Sequence, residues 1–271
     1  MNVLGVDLAW GDTRADGRPP NETGVVALAP DGTITDAGWT VGVAETAAWI
    51  GRRAESDAVL FVDAPLLVEN ATGQRACETE VGRRYGRWKV SANSSNLTLA
   101  HLAGVRLREA LELEGWRYDD GHDGPSARGR TMSECYPYTA LVGSPVLGYD
   151  TARPTYKRRP RNVVTADWRV LRAQVCDDLI ARIGALAEHD PPIDLRSHPA
   201  TAVLLDEQSP HANREYKHRE DLLDACIAAW SAAVWVRHGF ARSQVLGDER
   251  GPDGRPAATI ITQCRPEQRR P

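Results

Sequence analysis

Four carboxylates in this chain stand where carboxylates are costly. Asp7 lies inside a short apolar run, Val3 to Leu8, and Asp63 ends another, Ala58 to Val62. Glu134 falls in the β-prone stretch Thr131 to Tyr136. Asp224, with Asp221 one turn earlier, falls in an apolar helix near the C-terminus. Desolvating an ionised carboxylate costs on the order of several kcal/mol. Clustered acids also raise one another's pKa. No lysine or arginine lies near any of the four within its own expected element. A divalent cation removes both costs, and hard oxygen ligands suit Mg²⁺ or Mn²⁺. Two such ions about 4 Å apart activate a water and stabilise a leaving oxygen in phosphoryl transfer. The expected metal ligands are therefore Asp7, Asp63, Glu134, Asp221 and Asp224. The expected catalytic acids are Asp7, Asp63, Glu134 and Asp224, acting on a phosphodiester. Each acid alone has an ordinary reading. Strand-end Asp residues form turns and caps, and acids near a helix start serve its dipole.

These acids need a sheet and a helix to bring them together. Val3 to Leu8, Gly24 to Leu28 and Thr33 to Val41 read as three strands, the last two joined by a Pro30-Asp31-Gly32 turn. A polar loop, Asp12 to Glu22, separates the first two. Val43 to Ala54 reads as a helix, and Ala58 to Asp63 as a buried parallel strand. Thr72 is expected to cap a helix to about Tyr85. A second stripe, Leu99 to Leu111, stops at Gly115. Thr131 to Tyr136 reads as a strand halted by Pro137. Helices are expected after Thr165 and Ser197 as caps. The last helix is expected from His218 to His238, with Gly239 at its C-cap and apolar residues on most sides. A short strand, Ala257 to Thr262, closes the series. The pattern predicts one α/β domain over residues 1–271 with a mixed sheet.

Bulk composition is permissive. The chain has 271 residues, 42% hydrophobic and 26% charged, with a formal net charge of −4. No global basic field marks a nucleic-acid binder, so any such binding must come from local patches. Five widely spaced cysteines without a C-x-x-C pair argue against a disulfide framework or a cysteine-rich zinc site. Met1 to Trp10 lacks the features of a signal peptide, and no stretch approaches the roughly 20 apolar residues of a membrane span. A cytoplasmic protein is expected.

The ordered segments Gly5-Val6-Asp7-Leu8-Ala9, Val62-Asp63-Ala64-Pro65-Leu66, Arg75-Ala76-Cys77-Glu78, Glu134-Cys135-Tyr136-Pro137, Tyr156-Lys157 and Asp221-Leu222-Leu223-Asp224-Ala225 resemble the domain-of-unknown-function 429 family. That uncharacterised family is described as predicted nucleases of the ribonuclease H-like fold. The resemblance implies a central mixed five-stranded sheet, its first three strands antiparallel, flanked by helices and with extra helical insertions. The C-terminal helix would pack beside the first strand, so that Asp7, Asp63 and Asp224 converge. The Asp-x-x-Asp pair Asp221 and Asp224 is also similar to that of Holliday-junction resolvases. Glu45 is no firm counterpart of the helix-borne acid of ribonuclease H, and Glu134 is expected to take the fourth ligand role.

Two basic runs, Arg83 to Lys89 and Tyr156 to Arg161, interleave aromatics with cations, which suits a nucleic-acid backbone and unstacked bases. The expected substrate-binding residues are Arg75, Arg84, Trp88, Lys89, Tyr156 and Arg158, with a nucleic acid or nucleotide as substrate; Lys157, which the family resemblance includes, is expected to join the catalytic set by neutralising charge on the scissile phosphate. Solvated surface is the ordinary reading of such runs. Arg75 and Glu78, one turn apart, either pair structurally or face the cleft. Lesser candidates are His218 for proton transfer, Cys135 as a thiol, His122 with Asp120 and Asp123 as a metal grip, and Trp10 as a cleft residue. A different class is an actin-like kinase or ATPase, whose first phosphate loop Asp7 to Thr13 faintly resembles. Its second loop should read Asp-x-Gly, where this chain has Asp63-Ala64-Pro65. A non-catalytic binding protein that keeps the fold is the third reading.

Overall fold

The computed structural model describes residues 1–9, 21–161, 163–250 and 254–269. Trp10 and most of the polar loop before Glu22, including the remainder of the Asp7 to Thr13 segment, lie outside the described residues.

The opening apolar run forms β1 (Asn2–Asp7), buried along its length. It pairs antiparallel with β2 (Glu22–Leu28), which pairs antiparallel with β3 (Ile34–Val41). The β2–β3 turn closes at Gly32, whose φ of +89° is open to glycine at little cost. Asp31 accepts the Thr33 amide at 3.0 Å, an Asx turn that holds the corner. On the other side of β1, β4 (Ala58–Val62) runs parallel to it. Beyond lie β5 (Arg117–Tyr118) at the edge and β6 (Arg130–Glu134), in the order β3-β2-β1-β4-β6-β5. This is an α/β fold around a mixed six-stranded sheet. The family resemblance implies five strands in the central sheet. The sixth, β5, is two residues long, too short for a period-two pattern to register.

Helices α1 (Gly42–Arg53), α2 (Ala76–Tyr85), α3 (Ala103–Leu113), α4 (Pro137–Gly143), α5 (Thr165–Gly184), α6 (Pro199–Asp206) and α7 (Asn213–His238) surround the sheet. The pleat divides the sheet's side chains between two cores. Leu4, Val6, Leu60, Val62 and Met132 pack with Ile50 of α1 and Leu107 and Leu111 of α3. Val3, Val59 and Phe61 pack with α7 through Ala225, Ala228, Ala229 and Ala232. The crossing of α7 over β1 and β2 is close enough to require glycine. A Cβ on Gly5 would lie 2.2 Å from the Ala229 nitrogen, and one on Gly24 2.0 Å from the Asp221 carbonyl oxygen. A second, two-stranded sheet pairs β7 (Ser243–Gly247) with β8 (Thr259–Gln263) and packs on α2 and α4.

Several helix boundaries differ from the sequence reading. Thr72 does not cap α2. Arg75 does, with Glu78 reaching back to its amide at 3.0 Å. Pro137 opens α4 instead of merely ending a strand, because proline fits the first helical turn. Val164, not Thr165, precedes α5, and His198 caps α6 through its ring nitrogen. Ser197 instead accepts the Ile34 amide at 2.8 Å. The last helix starts at Asn213, so Asp221 and Asp224 lie more than two turns inside it. They are no dipole-serving acids of a first turn. No helix among the described residues is long and apolar enough to cross a membrane.

Gly5→Ala is expected to destabilise the protein by about 1–3 kcal/mol or more, as overpacking against backbone allows little relief. Urea unfolding checks this. An unchanged midpoint would mean that α7 recedes freely from β1.

Candidate metal centre

Strand pairing sets the first half of the site. Val6 stands opposite Val62 in the parallel β1–β4 register, and the Asp63 amide continues the ladder by donating to the Val6 carbonyl at 2.8 Å. Asp7 and Asp63 therefore emerge side by side, on the sheet face that α7 covers. Asp224 comes from α7. One carboxylate oxygen from each of Asp7, Asp63 and Asp224 lies within 4.8 Å of the others. Asp224 is fully buried and Asp7 only 8% exposed. Among the described residues, Asp7 Oδ2 is buried and accepts no hydrogen bond. A buried acceptor left unpaired costs about 1–3 kcal/mol, more when charged. Three converging hard oxygens with one unmatched fit a divalent cation of the Mg²⁺ or Mn²⁺ type.

A tyrosine and a lysine from the segment before α5 complete the cluster. Tyr156 donates its hydroxyl to Asp224 Oδ1 at 2.7 Å, and its own carbonyl accepts from the Tyr216 hydroxyl at 2.7 Å. The Lys157 ammonium ion-pairs with Asp224 Oδ2 and lies 4.0 Å from Asp63 Oδ2. It also sits 5.5 Å from the centre of the Tyr138 ring.

Burial drives the Asp63 carboxyl well above the usual range. Lys157 opposes this, and Asp7, Asp224 and Glu134 add to it. Asp224 is pushed up to about 7 by burial, with Lys157 pulling it back and Asp7 raising it again. Burial works against the Lys157 ammonium, but Asp224, Asp7 and Asp63 overcome it and push its pKa up. Lys157 thus keeps its proton, and Asp63 and Asp224 are raised toward the protonated form.

Over residues 5–250 the chain matches the model of the family described as "Protein of unknown function (DUF429)". The chain belongs to that family. No curated protein matches it. Among solved structures, the crystal structure of a ROK family protein from Streptococcus pneumoniae TIGR4 in complex with sucrose is similar at 11% identity. The match covers 87% of this chain and 98% of that one, with a TM-score of 0.31. At that score the likeness bears no argument.

The other expected site residues of this DUF429 chain fare differently. Glu134 does not join the three aspartates. It stands opposite Val62 in the β4–β6 register, so the pleat turns it to the face away from Asp63, and Cys135 takes the neighbouring place. There it forms a two-pronged ion pair with Arg75, at 2.6 and 2.7 Å. Cys135 is buried, and burial beside Asp63 pushes its thiol up, against a nucleophilic role. Asp221 lies at the cleft wall, ion-paired with Lys217 four residues earlier on α7. The helix-start reading at His218 left that lysine outside the element.

The donors of Arg75 are taken by Glu134, Glu78 and the Leu67 carbonyl. Trp88 is buried, donating to the Asp150 carbonyl, and Arg84 bonds the Arg269 carbonyl. Lys89 is exposed in the left-handed region at φ +62°. Tyr156 acts inside the cluster. Arg158 lines the cleft and donates to Asn93 at 2.6 Å. That cleft, about 330 Å³, also takes in Tyr136 and Lys217, which sequence reasoning missed. Tyr136 lies in a segment quoted for its glutamate, two residues away. His218 stacks on Trp39 at 3.6 Å and pairs with Glu22 at the rim. Asp120 and Asp123 both pair with Arg250, so with His122 they form no metal grip.

A pH dependence follows. In the unfolded chain Asp titrates near pH 4. In the folded, metal-free protein, burial and Asp7 hold Asp224 at about 7 and Asp221 at about 9. Both folded values are raised, so their contribution to stability is fully present below about pH 4 and is lost as pH rises through 7 and 9. In chelator the melting temperature should fall from pH 5 to pH 9. Mn²⁺, which needs deprotonated ligands, should oppose that fall. A melting temperature that rises with pH in chelator contradicts these raised values.

Proposed function

We propose that this protein hydrolyses phosphodiester bonds with Mg²⁺ or Mn²⁺ held by Asp7, Asp63 and Asp224. The observation that carries the reading is the convergence of those three carboxylates from two strands and a helix, with Asp7 Oδ2 buried and unmatched. A bound divalent cation supplies charge that activates a water and stabilises the leaving oxygen. The chain's own residues hold the rest in place. Tyr156 orients Asp224 through its hydroxyl. Lys157 balances part of the negative charge and stands where it would meet a phosphate seated at the carboxylates. The antiparallel β1–β3, the parallel β4 and β6, and α7 against β1 accord with the ribonuclease H-like arrangement that the family resemblance implies.

A nucleic acid as substrate is supported by the flank of the cleft. Residues 83–93 carry four cations (Arg83, Arg84, Arg87 and Lys89), and 151–161 carry five (Arg153, Lys157, Arg158, Arg159 and Arg161), with no carboxylate in either segment. The two runs are stitched together: Arg153 donates to the Trp88 carbonyl at 3.0 Å and the Lys89 carbonyl at 2.8 Å, and Arg158 bonds Asn93. One basic flank thus adjoins the cleft of an otherwise acidic chain. Trp88 and Tyr156 are buried, so the flank offers phosphate contacts and not the base stacking that the sequence suggested.

Two outcomes test this. Mn²⁺-dependent cleavage of an oligonucleotide should vanish in Asp7→Asn, while melting in chelator is unchanged or higher because like-charge repulsion is relieved. Lys157→Met should instead lower the melting temperature by leaving Asp224 buried without its cation. A large loss of stability in Asp7→Asn would mark Asp7 as structural. Separately, Arg87→Ala/Lys89→Ala/Arg159→Ala should weaken binding to single-stranded DNA and flatten its salt dependence by about 2 in log–log slope. Unchanged affinity and slope would remove the flank from the interface.

A further inference from the structure

Arg75, Glu78 and Glu134 form a buried ion triplet, each 2–4% exposed, at the base of a small pocket that Asp63 also lines. Four hydrogen bonds and one further ion contact engage all three nitrogens of the guanidinium. Nε donates to Glu78 Oε1 at 2.9 Å. Nη1 donates to Glu134 Oε2 at 2.7 Å and to the Leu67 carbonyl at 3.0 Å. Nη2 reaches Glu134 Oε1 at 2.6 Å and Glu78 Oε1 at 2.8 Å. Five N–H groups thus meet five acceptor contacts, a match that a planar fork makes and an ammonium does not.

The carboxylates pass this order to the backbone. Glu134 Oε2 accepts the Leu66 amide at 3.2 Å. Glu78 Oε2 accepts the amides of Arg75 and Ser95, both at 3.0 Å. Leu66 and Leu67 lie three and four residues after Asp63. Ser95 lies two after Asn93, at the cleft wall. The same stretch is pinned from its other side. A Cβ on Gly104, at the start of α3, would lie 2.2 Å from the Pro65 carbonyl oxygen. The chain leaving β4 after Asp63 is therefore clamped between α3 and the ion triplet.

A buried ion pair is weak as a source of stability, since apolar residues of similar volume often do as well. What it supplies here is direction. We infer that Arg75 and Glu134 are positioning residues for the metal centre: their ion pair fixes the backbone that aims Asp63 at Asp7 and Asp224. This rests on the metal-centre reading, and it gives Glu134 a role other than ligand.

The test is calorimetric titration of the full chain with Mn²⁺, at a temperature where near-ultraviolet circular dichroism shows each variant folded. The unmodified chain should bind Mn²⁺. Glu134→Gln and Arg75→Lys should bind it about 10–100-fold more weakly. Ile50→Ala, on α1 and with no part in the ion triplet, should lose stability yet keep its Mn²⁺ affinity. In chelator, the amides of Leu66, Leu67 and Val68 should exchange faster in Glu134→Gln than in the unmodified chain, which gives a readout free of metal. Should Glu134→Gln not fold, Arg75→Lys serves for both measurements. Folded variants that bind Mn²⁺ as tightly as the unmodified chain overturn the inference. So does an equal weakening in Ile50→Ala, which would make the loss one of general stability, and so does unchanged exchange. An unmodified chain that binds no Mn²⁺ removes the metal centre itself, and this inference with it.

Discussion

The closeness of α7 to the centre of the sheet is the constraint on which the site depends. A helix carrying ordinary side chains at its interface stands about 10 Å from a sheet. Here Gly5 and Gly24 face the alanine-rich surface and the main chain of α7, and a single methyl on either would collide with backbone. That closeness brings Asp224 within reach of carboxylates that end β1 and follow β4. It also explains why a 26-residue helix can be apolar on most sides, since sheet covers one flank and α4, α5 and α6 the others.

Charge is the second organising quantity. Three aspartates gather at one point with a single ammonium, Lys157, in contact. The cluster keeps negative charge in excess, and burial makes that excess costly. The protein treats its other buried acids differently. Glu134 and Glu78 share Arg75, Asp221 and Glu220 share Lys217, and Asp120 takes Arg250. The contrast between matched and under-matched acids separates structural carboxylates from those that suit a cation.

The arrangement also divides labour by position in the chain. Strands contribute carboxylates at their C-terminal ends, where in open α/β sheets crevices form beyond the strands. The irregular segment 151–161 contributes the cations, and its backbone is tied to 88–93, so the basic flank is held by main-chain hydrogen bonds as well as by side chains. Tyr156 links the two parts, its hydroxyl on Asp224 and its carbonyl on Tyr216 of α7.

Local patterns in the sequence determined the central strands, the hairpin turn at Asp31 and Gly32, the apolar last helix, and the three aspartates. An acid in a continuous apolar run is visible without knowing what packs against it. Only the tertiary structure decided which acids share a point. Glu134 and Asp63 look alike in their strands, yet the β4–β6 register sets Glu134 opposite Val62 and the pleat turns it to Arg75. That register is set by hydrogen bonds between residues more than seventy apart, and a one-residue change of parity reverses the face. The counter-ion choices were equally remote. Arg75 finds Glu134 across 59 residues and Lys157 finds Asp224 across 67, pairings that no local period encodes because the folded chain alone supplies their distances.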